Sequence, residues 1–220
     1  MSSQHWRRDQ SKEKFFSESR KLGYRSRSVF KLDEINKKYK ILKKANSILD
    51  LGSRPGGWSN YVIKNTRVKS IIANDIEPME LIPGVHFVLG DFTSDSIQEK
   101  ILNVNTGKFD LILSDISNNK TGNNVTDQYS FYEIANNILE FSKTGLTSSG
   151  VLVIKIFVGL GFEEFKKEMD QTFKYVNIFK PRASRPESKE TYAIGTKIRY
   201  TQNIWITFLK TQWFGLSLGL

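Results

Sequence analysis

Along residues 47–157, short apolar runs alternate with stretches in which apolar residues recur every three or four positions. The runs are Ser47–Leu51, Ser70–Ala73, Val85–Leu89, Phe109–Ser114 and Val151–Phe157. None shows the strict apolar–polar alternation of a strand with one wet face, so each reads as a strand covered on both sides. Helical spacing fills most of the gaps, over residues 57–65, 95–104, 128–143 and 161–172. An earlier amphipathic helix is expected over 28–39, where Val29, Phe30, Leu32 and Ile35 recur. Strands separated by helices predict a parallel sheet with helices on both faces. The pattern changes after Phe173. Tyr175–Phe179 and Thr191–Ile198 read as two strands joined by the polar stretch "KPRASRPESKE". That link is too short for a crossover helix, so the last strand is expected to run antiparallel to its partner. The result is an α/β fold with a mostly parallel seven-stranded sheet.

The two ends lie outside this pattern. Residues 1–27 show no clear apolar periodicity and read as a basic arm, followed by one domain over 28–200. The tail "TQNIWITFLKTQWFGLSLGL", 201–220, carries two tryptophans, two phenylalanines and one charge, Lys210. Its pattern assigns it no role. The composition is globular rather than disordered, with 39% hydrophobic and 25% charged residues. There is no cysteine, which excludes a disulfide framework and a thiolate zinc site. His5 and His86 are too few and too far apart to suggest a metal centre. No signal peptide and no membrane-spanning run is visible, and a cytoplasmic, monomeric protein is expected.

Charge changes this picture by its placement. Residues 1–46 hold 14 Lys or Arg against 5 acids, which accounts for +9 of the total +10. A basic arm on a nearly neutral body suggests a polyanion partner, most simply nucleic acid.

The first strand runs into "LDLGSRPGGW", a turn built for a ligand that approaches the backbone closely. A dinucleotide fingerprint wants glycine where Arg54 stands, and a phosphate-binding P-loop wants lysine where Trp58 stands. S-adenosylmethionine has no phosphate and fits better. Asp75 follows the second strand, where an acid can reach a ribose hydroxyl, and Asp91 follows the third, where it could meet an adenine amino group. Singly, each aspartate could equally cap a turn. Lys155, inside "VLVIKIF", is the least expected residue of the chain. A charge buried in that run costs several kcal/mol or more unless it opens into a cleft beside an acid. Asp115, ending "FDLILSD", could supply that acid.

These stretches, with "YRSRSVFKLDEI", "NDIEPM", "VHFVLGDF" and "ASRPESKETYAIG", resemble the FtsJ-type (RrmJ-type) ribosomal RNA ribose 2′-O-methyltransferases, in the family's order, across residues 20–197. The resemblance implies a Rossmann-like S-adenosylmethionine-dependent methyltransferase fold. It also implies a catalytic tetrad of Lys31, Asp115, Lys155 and Glu190, cofactor contacts at Gly56, Trp58, Asp75, Asp91 and Asp115, and no metal. The implied substrate is a uridine ribose in large-subunit ribosomal RNA, within the large subunit. Ser53 and Arg54 replace two alanines common in the family, and Asn118 replaces a proline after the catalytic aspartate.

The chemistry so implied is attack of a ribose 2′-oxygen on a sulfonium methyl. A neutral Lys155 would take the hydroxyl proton, whereas a charged one would steer the developing alkoxide. The residues leave both routes open. Lys180, Arg182, Arg185 and Lys189 would hold phosphates beside the cleft without reading bases. Competing readings are a transfer RNA or messenger-cap ribose methyltransferase, and a non-catalytic ribosome-assembly factor. The absence of added domains disfavours the cap enzymes, and the complete tetrad disfavours the binder.

Overall fold

The structure is a computed structural model that describes residues 15, 17–117, 122, 124–185 and 187–199. The 201–220 tail, most of residues 1–16 and the departure at Asn118 lie outside the described residues. In chain order the elements are α1 (Val29–Tyr39), β1 (Ser47–Leu51), α2 (Gly57–Asn65), β2 (Ser70–Asp75), β3 (His86–Leu89), α3 (Asp95–Val104) and β4 (Phe109–Ser114). They continue with α4 (Asn124–Gly145), β5 (Leu146–Phe157), α5 (Phe162–Thr172), β6 (Phe173–Phe179) and β7 (Glu190–Ile198). One seven-stranded sheet runs in the order β3-β2-β1-β4-β5-β7-β6. The first five strands pair in parallel, and β7 runs antiparallel to both β5 and β6, as the short link predicts.

Successive residues of the central strands feed opposite faces. Ile112 packs with α4 and α5 residues such as Leu139, Phe165 and Met169. Its neighbours Leu111 and Leu113 pack with Leu32 and Ile35 of α1 and with Trp58 and Val62 of α2. Burial on both faces is why these strands read as unbroken apolar runs. The strand order turns back between β1 and β4, so a crevice opens at the carboxyl ends of these strands, the usual ligand position of an open α/β sheet.

Two departures from the sequence pattern have physical causes. Strand β5 starts at Leu146, five residues before the apolar run. Phe109 pairs with Leu146 but Leu111 with Val151, so β5 carries a bulge that throws Ser148 and Ser149 out of the ladder. Those polar residues hide the strand's start. In the arm, residues 17–21 form a helical turn, and the segment up to Ser28 is docked on the body. Arg25 donates to the carbonyls of Glu80 and Leu81, Lys64 donates to those of Leu22 and Gly23, and the Phe15 ring lies 5.3 Å from that of Phe30. Single long-range contacts of this kind leave no periodic trace.

Candidate active site

The loop after β1 is fixed to the end of β2, because the N–H groups of Gly52 and Ser53 both donate to the Asn74 carbonyl. Asn74 is itself buried and bonds through its side chain to the carbonyls of Val88 and Gly90. Three strand ends are thereby locked side by side. Between them lies a depression of about 400 Å³, lined by Gly52, Asp75, Asp91, Asp115 and the apolar side chains of Ile76, Phe92, Ile116 and Ile134. That volume suits a ligand of nucleoside size. Gly52 forms its floor at φ +70°, and a Cβ there would lie 2.7 Å from the Ile116 side chain and 2.8 Å from its Cα. Only glycine fits a left-handed position so close to another backbone.

Of the residues expected to hold a cofactor, Asp75, Asp91 and Asp115 thus meet at one depression. Gly56 and Trp58 stand outside its lining. Gly56 starts α2 at φ +97°, and a Cβ on it would collide with Ile82; one on Gly57 would collide with the Ser26 hydroxyl. These two glycines admit the 25–28 and 79–82 segments. The Trp58 indole is buried, donates to the Ser28 carbonyl at 2.9 Å and packs 5.9 Å from the Tyr192 ring. Arg54, unexpected at the loop, pairs with Glu77 at 2.7 Å on the lip of the depression, while its N–H donates to Asp75.

Next to the depression the four tetrad residues converge from four elements. Lys155 Nζ, on β5, donates to the Asp115 carbonyl at 2.6 Å and lies 3.3 Å from its carboxylate. Lys31 Nζ, on α1, is 2.7 Å from Glu190 Oε1 at the start of β7 and 4.0 Å from Asp115 Oδ1. Lys155 is only 5% exposed, so the position of its Nζ is set by these contacts rather than by solvent. Burial by itself would raise the Asp115 carboxyl, but the charges of Lys155 and Lys31 and the Tyr192 hydroxyl outweigh it and hold Asp115 below the usual carboxylate range. Asp115 therefore stays ionised near neutrality.

Three supporting residues were not legible in the sequence. Tyr192 donates from its hydroxyl to Asp115 Oδ1 at 2.7 Å, Ser184 donates to Glu190 Oε1 at 2.9 Å, and Glu34 accepts the N–H groups of Arg182 and Ala183. Glu34 lies one turn beyond Lys31 on α1, so a single helix positions one tetrad lysine and pins the 180–189 loop. The Tyr192 and Glu34 signals are three-dimensional, since their partners lie 77 and about 148 residues away, and the Ser184 bond closes within the 184–190 loop.

A parallel sheet closed by an antiparallel β7, with a glycine-floored depression at its strand ends, is the architecture of the Rossmann-like methyltransferases. The FtsJ-like methyltransferase family model matches residues 24–198. The chain is 38% identical over 196 residues to the ribosomal RNA large subunit methyltransferase E of Acinetobacter baumannii, covering 88% of this chain and 91% of that one. It is 39% identical over 200 residues to the protein of the same name from Vesicomyosocius okutanii, covering 90% and 95%. A crystal structure from Plasmodium falciparum, described as a ribosomal RNA methyltransferase, superposes with a TM-score of 0.71 at 30% identity, over 80% of this chain and 98% of that one. The chain belongs to the FtsJ-like methyltransferase family.

Proposed function

We propose that this protein methylates a ribose 2′-hydroxyl of large-subunit ribosomal RNA, using S-adenosylmethionine. The observation that carries the reading is Lys155: a nearly buried ammonium at the end of β5, anchored on both the main chain and the carboxylate of Asp115, and facing the Lys31–Glu190 pair. The names of the relatives support ribosomal RNA as the acceptor.

The residues of the depression fit the cofactor. Asp75 already accepts the N–H groups of Arg54 and Glu77, which fixes its carboxylate toward a ribose diol. Asp91 accepts from Thr93 through Oδ1 only, which leaves Oδ2 for an adenine amino group. Ile76, Phe92, Ile116 and Ile134 supply an apolar slot for the base. When bound there, S-adenosylmethionine supplies an electrophilic methyl group on a sulfonium sulfur.

The remaining work belongs to the protein. Asp115 holds Lys155 at a fixed point and direction, so the 2′-oxygen is met by a preorganised N–H or by a lone pair at Nζ. Lys31 adds a second cation over the same place, where negative charge develops on the oxygen. Glu190, bridged to Lys31 and steadied by Ser184, keeps that cation from collapsing fully onto Asp115. The exposed side chains of Arg182, Arg185 and Lys189, on the loop pinned by Glu34, stand ready for the RNA backbone.

The direct test supplies methyl-labelled S-adenosylmethionine with large ribosomal subunits, free large-subunit RNA and transfer RNA. Label in the large-subunit RNA supports the reading; label confined to transfer RNA defeats it. Asp91→Ala should weaken S-adenosylmethionine binding by roughly ten-fold in calorimetry, the worth of one hydrogen bond to a polar edge. Unchanged affinity would remove Asp91 from the cofactor site. Residues 1–14 carry Arg7, Arg8, Lys12 and Lys14. Deleting them should lower RNA affinity and flatten its dependence on salt, by up to about four in the log–log slope. An identical slope would mean that the arm does not touch RNA.

A further inference from the structure

The end of the sheet remote from the tetrad carries its own distortions and its own charges. There the β5 bulge pushes out Ser148 and Ser149, both exposed. Across the antiparallel ladder Phe173 pairs with Ile198 and Tyr175 with Thr196, which sets Lys174 opposite Lys197. Like charges facing each other across two strands repel. Lys197 also adopts φ +60°, a left-handed backbone that a lysine enters only at a cost. Neither lysine has an acidic partner among the described residues. Both lie against the face of Tyr175 instead, at 5.5 and 5.7 Å from its centroid. Arg199 stands beside them, its Nε on the Phe173 carbonyl.

These groups surround an open depression of about 360 Å³, lined by Ser148, Ser149, Lys174, Lys197, Ile198 and Arg199. Two hydroxyls and three cations around one concavity, with no carboxylate in the lining, are the donor set of a phosphate site. The surroundings extend the same sign. Lys69 and Lys108 are exposed at the starts of β2 and β4 on this end of the sheet. Asp110, on the same end, has turned its carboxylate onto the N–H groups of Asn46 and Ser47.

We infer that this depression is a second RNA-docking site, which binds the phosphodiester backbone of a ribosomal RNA segment distinct from the one that presents the target ribose. Six residues of β5 separate Ser149 from Lys155, or roughly 20 Å of strand. A substrate that engages both ends must be folded RNA or an assembled particle, because the two sites face away from each other along the sheet. The hydroxyls and ammoniums contact phosphate oxygens only, so the site adds affinity and orientation without base preference. It rests on the RNA substrate proposed above, and its test reads binding before turnover.

The full chain is compared with a Lys174→Ala/Lys197→Gly double variant, glycine being free to keep the left-handed backbone at 197. A Ser148→Glu/Ser149→Glu variant, which leaves every lysine in place, gives an independent check. The probe is a transcript of large-subunit ribosomal RNA. The expected result is a roughly ten-fold loss of affinity at about 100 mM salt in both variants, and a log–log salt slope lower by about two in the lysine variant. S-adenosylmethionine binding should be unaltered. With large subunits as methyl acceptor, KM should rise and kcat at saturation stay constant. Wild-type affinity and slope in both folded variants would overturn the inference. So would competition by millimolar inorganic phosphate that matches competition by RNA, since that marks a free-ion site. If no RNA is methylated but the variants still lose affinity, the docking site stands and the methylation reading falls.

Discussion

Lys155→Ala should abolish detectable methyl transfer while S-adenosylmethionine binding persists. Removal of a general base typically costs roughly 10²–10⁴-fold in rate, and loss of alkoxide stabilisation at the same atom adds to it. The cofactor depression does not include Lys155 in its lining, so its affinity should hardly change. Asp115 would lose its closest cation but keep the Tyr192 hydroxyl and Lys31. The fold should therefore survive, and a cooperative melt must accompany the activity measurement. Lys155→Met, which keeps the aliphatic stem in the strand, serves if the alanine variant melts early. Lys155→Arg should not rescue, because a planar guanidinium cannot keep the single Nζ position between the carbonyl and the carboxylate of Asp115. A folded Lys155→Ala protein with near wild-type rate would remove the mechanism and leave the fold intact.

The second large effect concerns stability and comes from Asp50, on β1 beneath the glycine loop. Its side chain is 1% exposed; Oδ2 accepts the Ser59 hydroxyl at 2.6 Å, and Oδ1 meets no hydrogen-bond donor among the described residues. Burial pushes its carboxyl up to about 7, against the relief from Ser59, and the nearby charges of Asp115 and Asp75 push the same way. The unfolded chain ionises near pH 4. Asp50 therefore favours the fold fully below that pH, and the contribution is lost as pH rises through about 7. Between those limits the loss is on the order of 4 kcal/mol, or on the order of 10 °C in Tm for a chain of this size. Asp115 works in the opposite sense: its stabilisation is present above the unfolded value and is lost only as pH falls below it. Asp50→Asn isolates the first group. The difference in Tm between variant and wild type should become steadily more favourable to the variant from pH 4 to pH 8. A constant difference would show that Asp50 is ionised throughout.

Much of this architecture could be read from the chain because both signals involved are local. Doubly buried strands such as Phe109–Ser114 leave unbroken apolar runs, and α1 leaves a helical stripe through Leu32 and Ile35. Lys155 announced itself by violating its own run. What escaped the sequence depends on pairings between distant segments. Ser148 and Ser149 look like loop until Leu146 is seen to pair with Phe109. Glu34 reads as one more surface acid of α1 until the 182–183 backbone closes on it. The glycines of "RPGG" suggested a ligand cradle, yet Gly56 and Gly57 make room for the chain's own residues, and only Gly52 floors the depression.

Whether the methyl group ends on a ribose oxygen of large-subunit RNA is decided by mapping its position. RNA recovered after reaction with the wild-type protein is cleaved in alkali, which requires a free 2′-hydroxyl at each step. Cleavage should become blocked at one position in the large-subunit RNA, with no block after reaction with the folded Lys155→Ala protein. Label recovered on a base, with alkaline cleavage unimpeded along the whole RNA, would rule out ribose 2′-O-methylation.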